Sequence, residues 1–317
     1  MHKTRYNTLH LTLAISPRGP LLVKAGGVSA NPTLPDMQFV RTGHATLGET
    51  VYIPGSSLKG VLRDFIEKAL RTIDPHPDKP GPQHHQDWKW ACATFEAKKE
   101  EKRERTKWNC PQFLKELEST GEKLGPSKVY AHSCGACRIF GHTRLRGRVS
   151  FTDLFPTEQV TTEIRYGVAI SRLTHAVAHG PFEMEVAVSG TFEGRLILEN
   201  YEIWQLGLLA SALEAMNQGL VKVGFGKNRG FGEVEVKVKE VRMDEVAPIS
   251  DISVLRGLGA FVNEETRKAY GFVPPNTLPE LPDPKEISRL GIYTRRIYGT
   301  QGWQTIAKKA IATLNTR

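Results

Sequence analysis

Apolar and polar residues alternate between residues 5 and 15. Leu9, Leu11, Leu13 and Ile15 fall on one face, and Thr8, His10 and Thr12 on the other. That period predicts a half-buried β-strand. The segment from Pro17 to Thr50 is rich in glycine, proline and polar residues and reads as a loop. Beyond it, Leu58, Val61, Leu62, Phe65, Ile66, Ala69 and Leu70 recur at helical spacing. They predict a helix to about Arg71, with Ser56 as its N-cap and Lys59 and Arg63 on its outer face. Val149 and Phe151 suggest a short strand, and Phe182–Leu198 a long strand or hairpin. Ile203, Leu206, Ala210, Leu213 and Met216 predict a second helix over about 202–217, which Gly219 can end. An alternating strand follows over 232–241. Prolines between 274 and 284 mark a linker, and Trp303, Ile306, Ala310, Ile311 and Leu314 suggest a terminal amphipathic helix. Strand, helix, strand, then strand, helix, strand is the α+β order of a ferredoxin-like sheet, the layout of an RNA-recognition motif.

Residues 74–131 interrupt that order. They open with prolines and the pair His84 and His85 and continue through a charged helical stretch, Glu96–Lys107. We therefore divide the chain into a discontinuous palm (1–73 and 132–246), an insertion (74–131) and a C-terminal extension (247–317). The extension is basic: from Lys285 to Arg317, seven Lys or Arg face Glu286 alone, a net +6. The whole chain of 317 residues carries a formal +9 with a pI near 9.3, which favours an acidic partner such as nucleic acid. There is no apolar run of membrane-spanning length and no apolar core of a signal peptide, so a cytoplasmic location is expected.

Four glycines within nine residues, Gly224, Gly226, Gly230 and Gly232, alternate with Phe225, Lys227, Arg229 and Phe231. A glycine-rich hairpin lets backbone approach a bulky partner, and the cations suggest an anionic one. No Gly-Lys-Ser/Thr and no helix follow, which excludes a Walker loop, and the next element is a strand, which excludes a dinucleotide fingerprint. The start of the first helix offers Ser56, Ser57, Lys59 and Arg63 to a phosphate. Arg138, Arg144, Arg146 and Arg148 crowd one stretch, as phosphate contacts or ordinary surface charge. The cysteines are Cys92, Cys110, Cys134 and Cys137. Cys134 and Cys137 form a CxxC knuckle, and four thiolates suit a tetrahedral structural Zn²⁺, with His84, His85 and His132 as spare ligands. No thioredoxin-like βαβ surrounds the knuckle, which argues against redox chemistry.

Three segments in this order resemble the RAMP superfamily, the RNA-binding subunits of CRISPR effector complexes. They are Ile53–Arg63, Cys137–Gly141 leading into Gly147–Asp153, and Gly224–Gly232. The nearest likeness is to the backbone subunit of type III complexes. The resemblance implies an RRM-like palm stacked head to tail along guide RNA with copies of itself or paralogues, among other effector subunits. It implies a thumb hairpin, here about Thr162–Gly180 with Arg172, His175 and His179, wedged into the guide–target duplex. In type III backbone subunits an aspartate in the loop after the first strand cuts target RNA with a divalent metal, Mg²⁺ or Mn²⁺. Asp36 falls at that position, although the glycines that usually precede it closely are distant here and Pro32 and Pro35 intervene. His10 and Asp153 read as structural. The rival expectations are a non-catalytic guide-RNA-binding subunit and a guide-RNA-processing endonuclease with His44 or His175 as general base.

Overall fold

The computed structural model describes residues 3–26, 35–74, 90–92 and 109–314. The chain begins with β1 (Asn7–Pro17), a small hairpin of β2 (Arg41–His44) and β3 (Gly48–Val51), and α1 (Gly55–Thr72). Three short helices, α2 (Cys110–Ser119), α3 (Pro126–Ala131) and α4 (Gly135–Phe140), precede β4 (Val149–Phe151) and β5 (Phe155–Pro156). A separate hairpin joins β6 (Thr162–Ile170) to β7 (Val177–Ala187). Then come β8 (Phe192–Glu199), α5 (Ile203–Asn217) and β9 (Val234–Val246). The remainder holds β10 (Leu255–Arg256), α6 (Glu264–Tyr270), β11 (Thr277–Leu278), β12 (Glu286–Leu290), β13 (Tyr293–Gly299) and α7 (Thr300–Ala312).

The main sheet has the order β12-β13-β9-β1-β8-β4, with each neighbouring pair antiparallel. Within it, β1, β4, β8 and β9 with α1 and α5 reproduce the ferredoxin-like order, the fourth strand beside the first and the third beside the second. The alternation in β1 has the expected result: Leu9, Leu11, Leu13 and Ile15 are fully buried beneath the helices. α5 is buried almost all round because the sheet, α1 and α7 enclose it. Glu202 and Gln205 form a capping box at its start.

The segment after residue 246 continues the same sheet. β13 pairs with β9, and α7 lies so close to α5 that a Cβ on Gly207 would sit 2.5 Å from the Ala310 carbonyl. A buried Arg296–Glu245 ion pair crosses this join. Arg296 also donates to the Ile252 and Val254 carbonyls at 2.7 and 3.0 Å, and Glu245 accepts the Arg256 amide at 2.9 Å. These bonds satisfy most of the remaining donors and acceptors, which makes such a pair tolerable away from water, although Arg296 Nε has no acceptor among the described residues.

Several local expectations change. The stretch from Pro17 to Thr50 contains the β2–β3 hairpin. Ser56 is not the N-cap: α1 starts at Gly55, and Pro54 holds the cap position. Phe182–Leu198 divides between two sheets, with β7 pairing β6 and β8 joining the main sheet. The proline-rich stretch packs onto the protein, since β11 pairs with β10, Leu281 is buried and its amide donates to the Ser253 carbonyl. The helical stretch Glu96–Lys107 lies outside the described residues.

Candidate functional site

α2 begins at Cys110, and Cys134 is the N-cap of α4, which contains Cys137. These two helices and the residues around Cys92 bring the four buried thiols together, all within 4.8 Å of one another. Backbone amides point at sulfur: Cys92 N–H at Cys134 Sγ (3.4 Å), Cys134 N–H at Cys110 Sγ (3.2 Å) and Cys137 N–H at Cys134 Sγ (3.4 Å). The Cys92 and Cys137 sulfurs are 3.7 Å apart. Zinc–sulfur bonds of about 2.3 Å in a tetrahedron give sulfur–sulfur edges of roughly 3.8 Å. The group can therefore hold a metal such as zinc. The thiols do not ionise independently. Bonds from Cys110, Cys134 and Cys137 hold the Cys92 thiol well below its usual range. Bonds with Cys134, Cys137 and Cys92, together with burial, push Cys110 up. A cation at the centre would remove that conflict. His132 is not among the grouped ligands, and its ring packs 6.0 Å from Phe113. His84 and His85 lie outside the described residues.

α1 is braced against this cluster. Glu67 is buried and accepts from Arg63 Nε (2.7 Å) and Arg71 Nη2 (3.0 Å), and Arg71 also donates to the Cys92 carbonyl (2.9 Å). Arg63 lies 5.9 Å from the Phe140 ring, so it is not on an outer face as the spacing suggested. Lys59 is half-buried too, and its pKa is lowered by burial and then by the Arg63 charge. The first amide of α1, that of Gly55, donates to Asp153 Oδ1 at 2.8 Å. A Cβ on Gly55 would stand 2.6 Å from the Thr152 carbonyl. The two sequence segments around Gly55 and Asp153 are thus halves of one contact. The Gly55 amide is therefore not free for an anion at this helix start.

Asp36 is exposed at the base of the β6–β7 hairpin, and its Oδ2 accepts the Glu183 amide at 3.0 Å. Met37 makes a parallel bridge to Met184, and Phe39 N–H donates to Glu185 Oε2 at 3.1 Å. Arg41 pairs with the other oxygen of Glu185. Residues 21–25 run beside this loop: the Val40 amide donates to the Val23 carbonyl, and the Ala25 amide to Gln38.

The glycine segment meets the other side of the same stretch. Phe225 N–H donates to the Leu22 carbonyl at 2.7 Å, and Gly232 N–H to Pro20 at 2.8 Å. It is not a strand hairpin but a loop around a short 3₁₀ turn, Lys227–Arg229. The close approach that the glycines allow is made to the protein itself. A Cβ would lie 2.2 Å from the Leu22 carbonyl at Gly224 (φ +82°) and 2.1 Å from the Val223 carbonyl at Gly232 (φ +84°). Lys227 and Arg229 remain exposed at the tip.

The β6–β7 hairpin carries Tyr166, Ile170 and Val177 exposed, with Leu173 at its turn 94% accessible. Arg172 and His175 share that turn, His175 at φ +57°. This is the thumb, and it continues past Gly180 to Ala187.

Sequence reading missed the cations on the other face of the main sheet. Register sets Arg242 opposite His10, and Arg195 opposite Thr12. Burial first, then Arg242, lowers the His10 pKa to about 4. Arg295 on the same face is committed to Asp244 through bonds of 2.7 and 3.0 Å. Alternation within β8 and β9 was the available signal, but only pairing shows that the arginines converge.

A comparison with protein families matches the RAMP superfamily over residues 37–235, well over half of the chain. Together with the ferredoxin-like palm and its thumb, this identifies the chain as a member of the RAMP superfamily. Membership makes it a CRISPR-associated RNA-binding protein, from a family whose members bind CRISPR RNA within multi-subunit complexes. Asp36 stands one residue before the matched span. No curated protein matches the chain. Among the described residues, no helix is long and apolar enough to cross a membrane.

Proposed function

We propose that the protein is a guide-RNA-binding backbone subunit of a type III CRISPR effector complex, and that Asp36 serves metal-dependent cleavage of target RNA paired to the guide. One observation carries this reading. The Asp36 loop and the glycine turn are both bonded to residues 20–25, and Tyr52, just before α1, donates to Val40 of the same loop. The thumb base, the start of α1 and two exposed cations thus share one end of the palm. Lys227 and Arg229 take backbone phosphate, a contact without base identity. Ser56, Ser57 and Lys59 offer a second phosphate contact. Arg172 and His175 go with the apolar thumb toward the guide–target duplex. Mg²⁺ or Mn²⁺ at Asp36 would polarise the scissile phosphate. The chain's own part is to fix the carboxylate beside the thumb through the Glu183 amide. Zinc in the cysteine cluster is structural.

A non-catalytic binding subunit is the second reading. It is favoured by the bond that Asp36 Oδ2 already accepts from the Glu183 amide, which gives the carboxylate a role in bracing the loop. The deciding experiment is cleavage of guide-matched RNA by the assembled ribonucleoprotein with and without Mg²⁺. Asp36→Ala is expected to abolish cleavage and leave guide affinity unchanged. A wild type that never cuts supports the binding subunit. Metal-independent cutting lost in His175→Ala would instead indicate a guide-processing nuclease.

A further inference from the structure

β1 runs from Asn7 to Pro17, and the glycine segment meets its far end, where Pro17 pairs with Val234. At the near end lies a cavity of about 330 Å³, the small end of the range for ligand sites, roughly 300–1,000 Å³. Its wall includes Lys3, Arg5, Arg146, Arg148, Glu199 and Tyr293. Four cations thus face one carboxylate, and Glu199 lies 3.5 Å from Arg146.

Arg148 is the informative member. It is 6% exposed, and its Nε and Nη2 have no acceptor. Its main chain is pinned on both sides, with N–H donating to Ile139 (2.8 Å) and the carbonyl accepting from Glu199 (2.9 Å). Its guanidinium lies 5.2 Å from the Tyr130 ring. Arg138 lies over the same ring at 4.8 Å, but donates to the carbonyls of Tyr130, Ala131, Ser133 and Gly271. One arginine is therefore spent on structure, while its neighbour is held in place with donors unmet. A buried donor without an acceptor is costly, and a buried guanidinium more so; the Nε and Nη2 atoms are closed to solvent, so an anion reaches them only when the side chain shifts toward the cavity.

The N-terminal segment is tied down over this site. The Asn200 side chain accepts the Tyr6 amide and donates to the Thr4 carbonyl, and the Tyr293 hydroxyl donates to the Arg5 carbonyl. The Arg5 guanidinium lies over the Tyr293 ring at 4.9 Å. Lys3 and Arg5 are thereby brought to the mouth of the cavity.

We propose that this cavity is a phosphate-binding site, filled by a phosphate of RNA or by a free phosphate compound. Guanidinium forks match phosphate oxygens in pairs, and a multiply charged anion offsets the cationic excess where one more carboxylate would not.

The test is calorimetry and thermal melting of the full chain, at matched ionic strength, with inorganic phosphate, pyrophosphate, and one short RNA with or without a 5′-phosphate. Phosphate is expected to bind and to raise Tm relative to chloride. The double variant Arg5→Ala, Arg146→Ala should keep its Tm in chloride and lose about tenfold or more in phosphate affinity. Arg148→Met should abolish the response; if that variant does not fold, the rim pair decides. Tighter binding of the 5′-phosphorylated RNA, competed by pyrophosphate, assigns the site to an RNA end, and a response to the small anions alone assigns it to a free compound. A wild type that responds to none of these ligands, or a rim variant that binds them unchanged, overturns the proposal. Arg229→Ala, at the other end of the sheet, should leave the phosphate response intact, so this result is separable from the RNA-binding reading.

Discussion

Around the four cysteines every thiol is buried and backbone amides point at sulfur, whereas Asp36 at the thumb base and Lys227 and Arg229 on the glycine turn stand in solvent on backbone that the protein's own carbonyls hold. The first region has turned its chemistry inward. Its ligands also form part of the core, with all four cysteines in the main cluster of buried residues. The second keeps its chemical groups off the core and uses glycine and main-chain bonds to hold them out. Damage to the cluster should therefore appear as lost stability. Damage to the exposed groups should appear as lost function in a protein that melts normally.

The largest expected effect comes from the cluster. Purified protein should carry about one zinc per chain, and Cys134→Ser should lose the metal and lower Tm strongly, because binding free energy at such a site is folding free energy. Elemental analysis and a melt with and without chelator check this. A metal-free chain of equal stability would erase the contrast between the two regions.

Gly232→Ala comes next, and tests the scaffold under the exposed groups. Its Cβ would strike the Val223 carbonyl at a positive φ, so a loss on the order of 1–3 kcal/mol is expected in a denaturant titration. Gly230, at φ +82° but with open space around it, should tolerate alanine better than Gly232. Equal costs would mean that the loop is not held where it is described.

Arg229→Ala should leave Tm unchanged and weaken RNA binding alike for all sequences, while reducing the slope of log affinity against log salt by about one unit. Filter binding over a salt series reads both. A change confined to one sequence would point to base recognition.

The smallest effect concerns the sheet face. The folded state holds the His10 pKa near 4, below its ordinary value of 6.5. Between those values the unfolded chain binds the proton and the folded chain does not, so stability should rise with pH through that window and fall on acidification. His10→Gln should flatten the slope of Tm against pH between about pH 4 and 6.5. An unchanged slope would shift the acid sensitivity to other groups, of which His142 is the first to examine because burial lowers its pKa to about 4 as well.

Alternation in β1 and the apolar period of α1 and α5 were legible without coordinates, since side-chain period follows directly from strand and helix geometry. The cysteines could be counted and the CxxC spacing recognised, and four thiols near one insertion already implied a shared site. Composition indicated an anionic partner. What a linear reading could not supply was contact across distance. The segment around Gly55 read as a helix start offered to phosphate, and only folding shows that its first amide is taken by Asp153. The four-glycine run looked like an approach to a partner, and proved at Gly224 and Gly232 to be an approach to the chain's own carbonyls. Arg138 and Arg148 look alike in the sequence, yet only one finds acceptors. Periodicity is a property of neighbouring residues and can be read along the chain. Whether a donor is satisfied, or a glycine crowded, depends on residues tens or hundreds of positions away, and that is decided when the sheet pairs and the helices close over it.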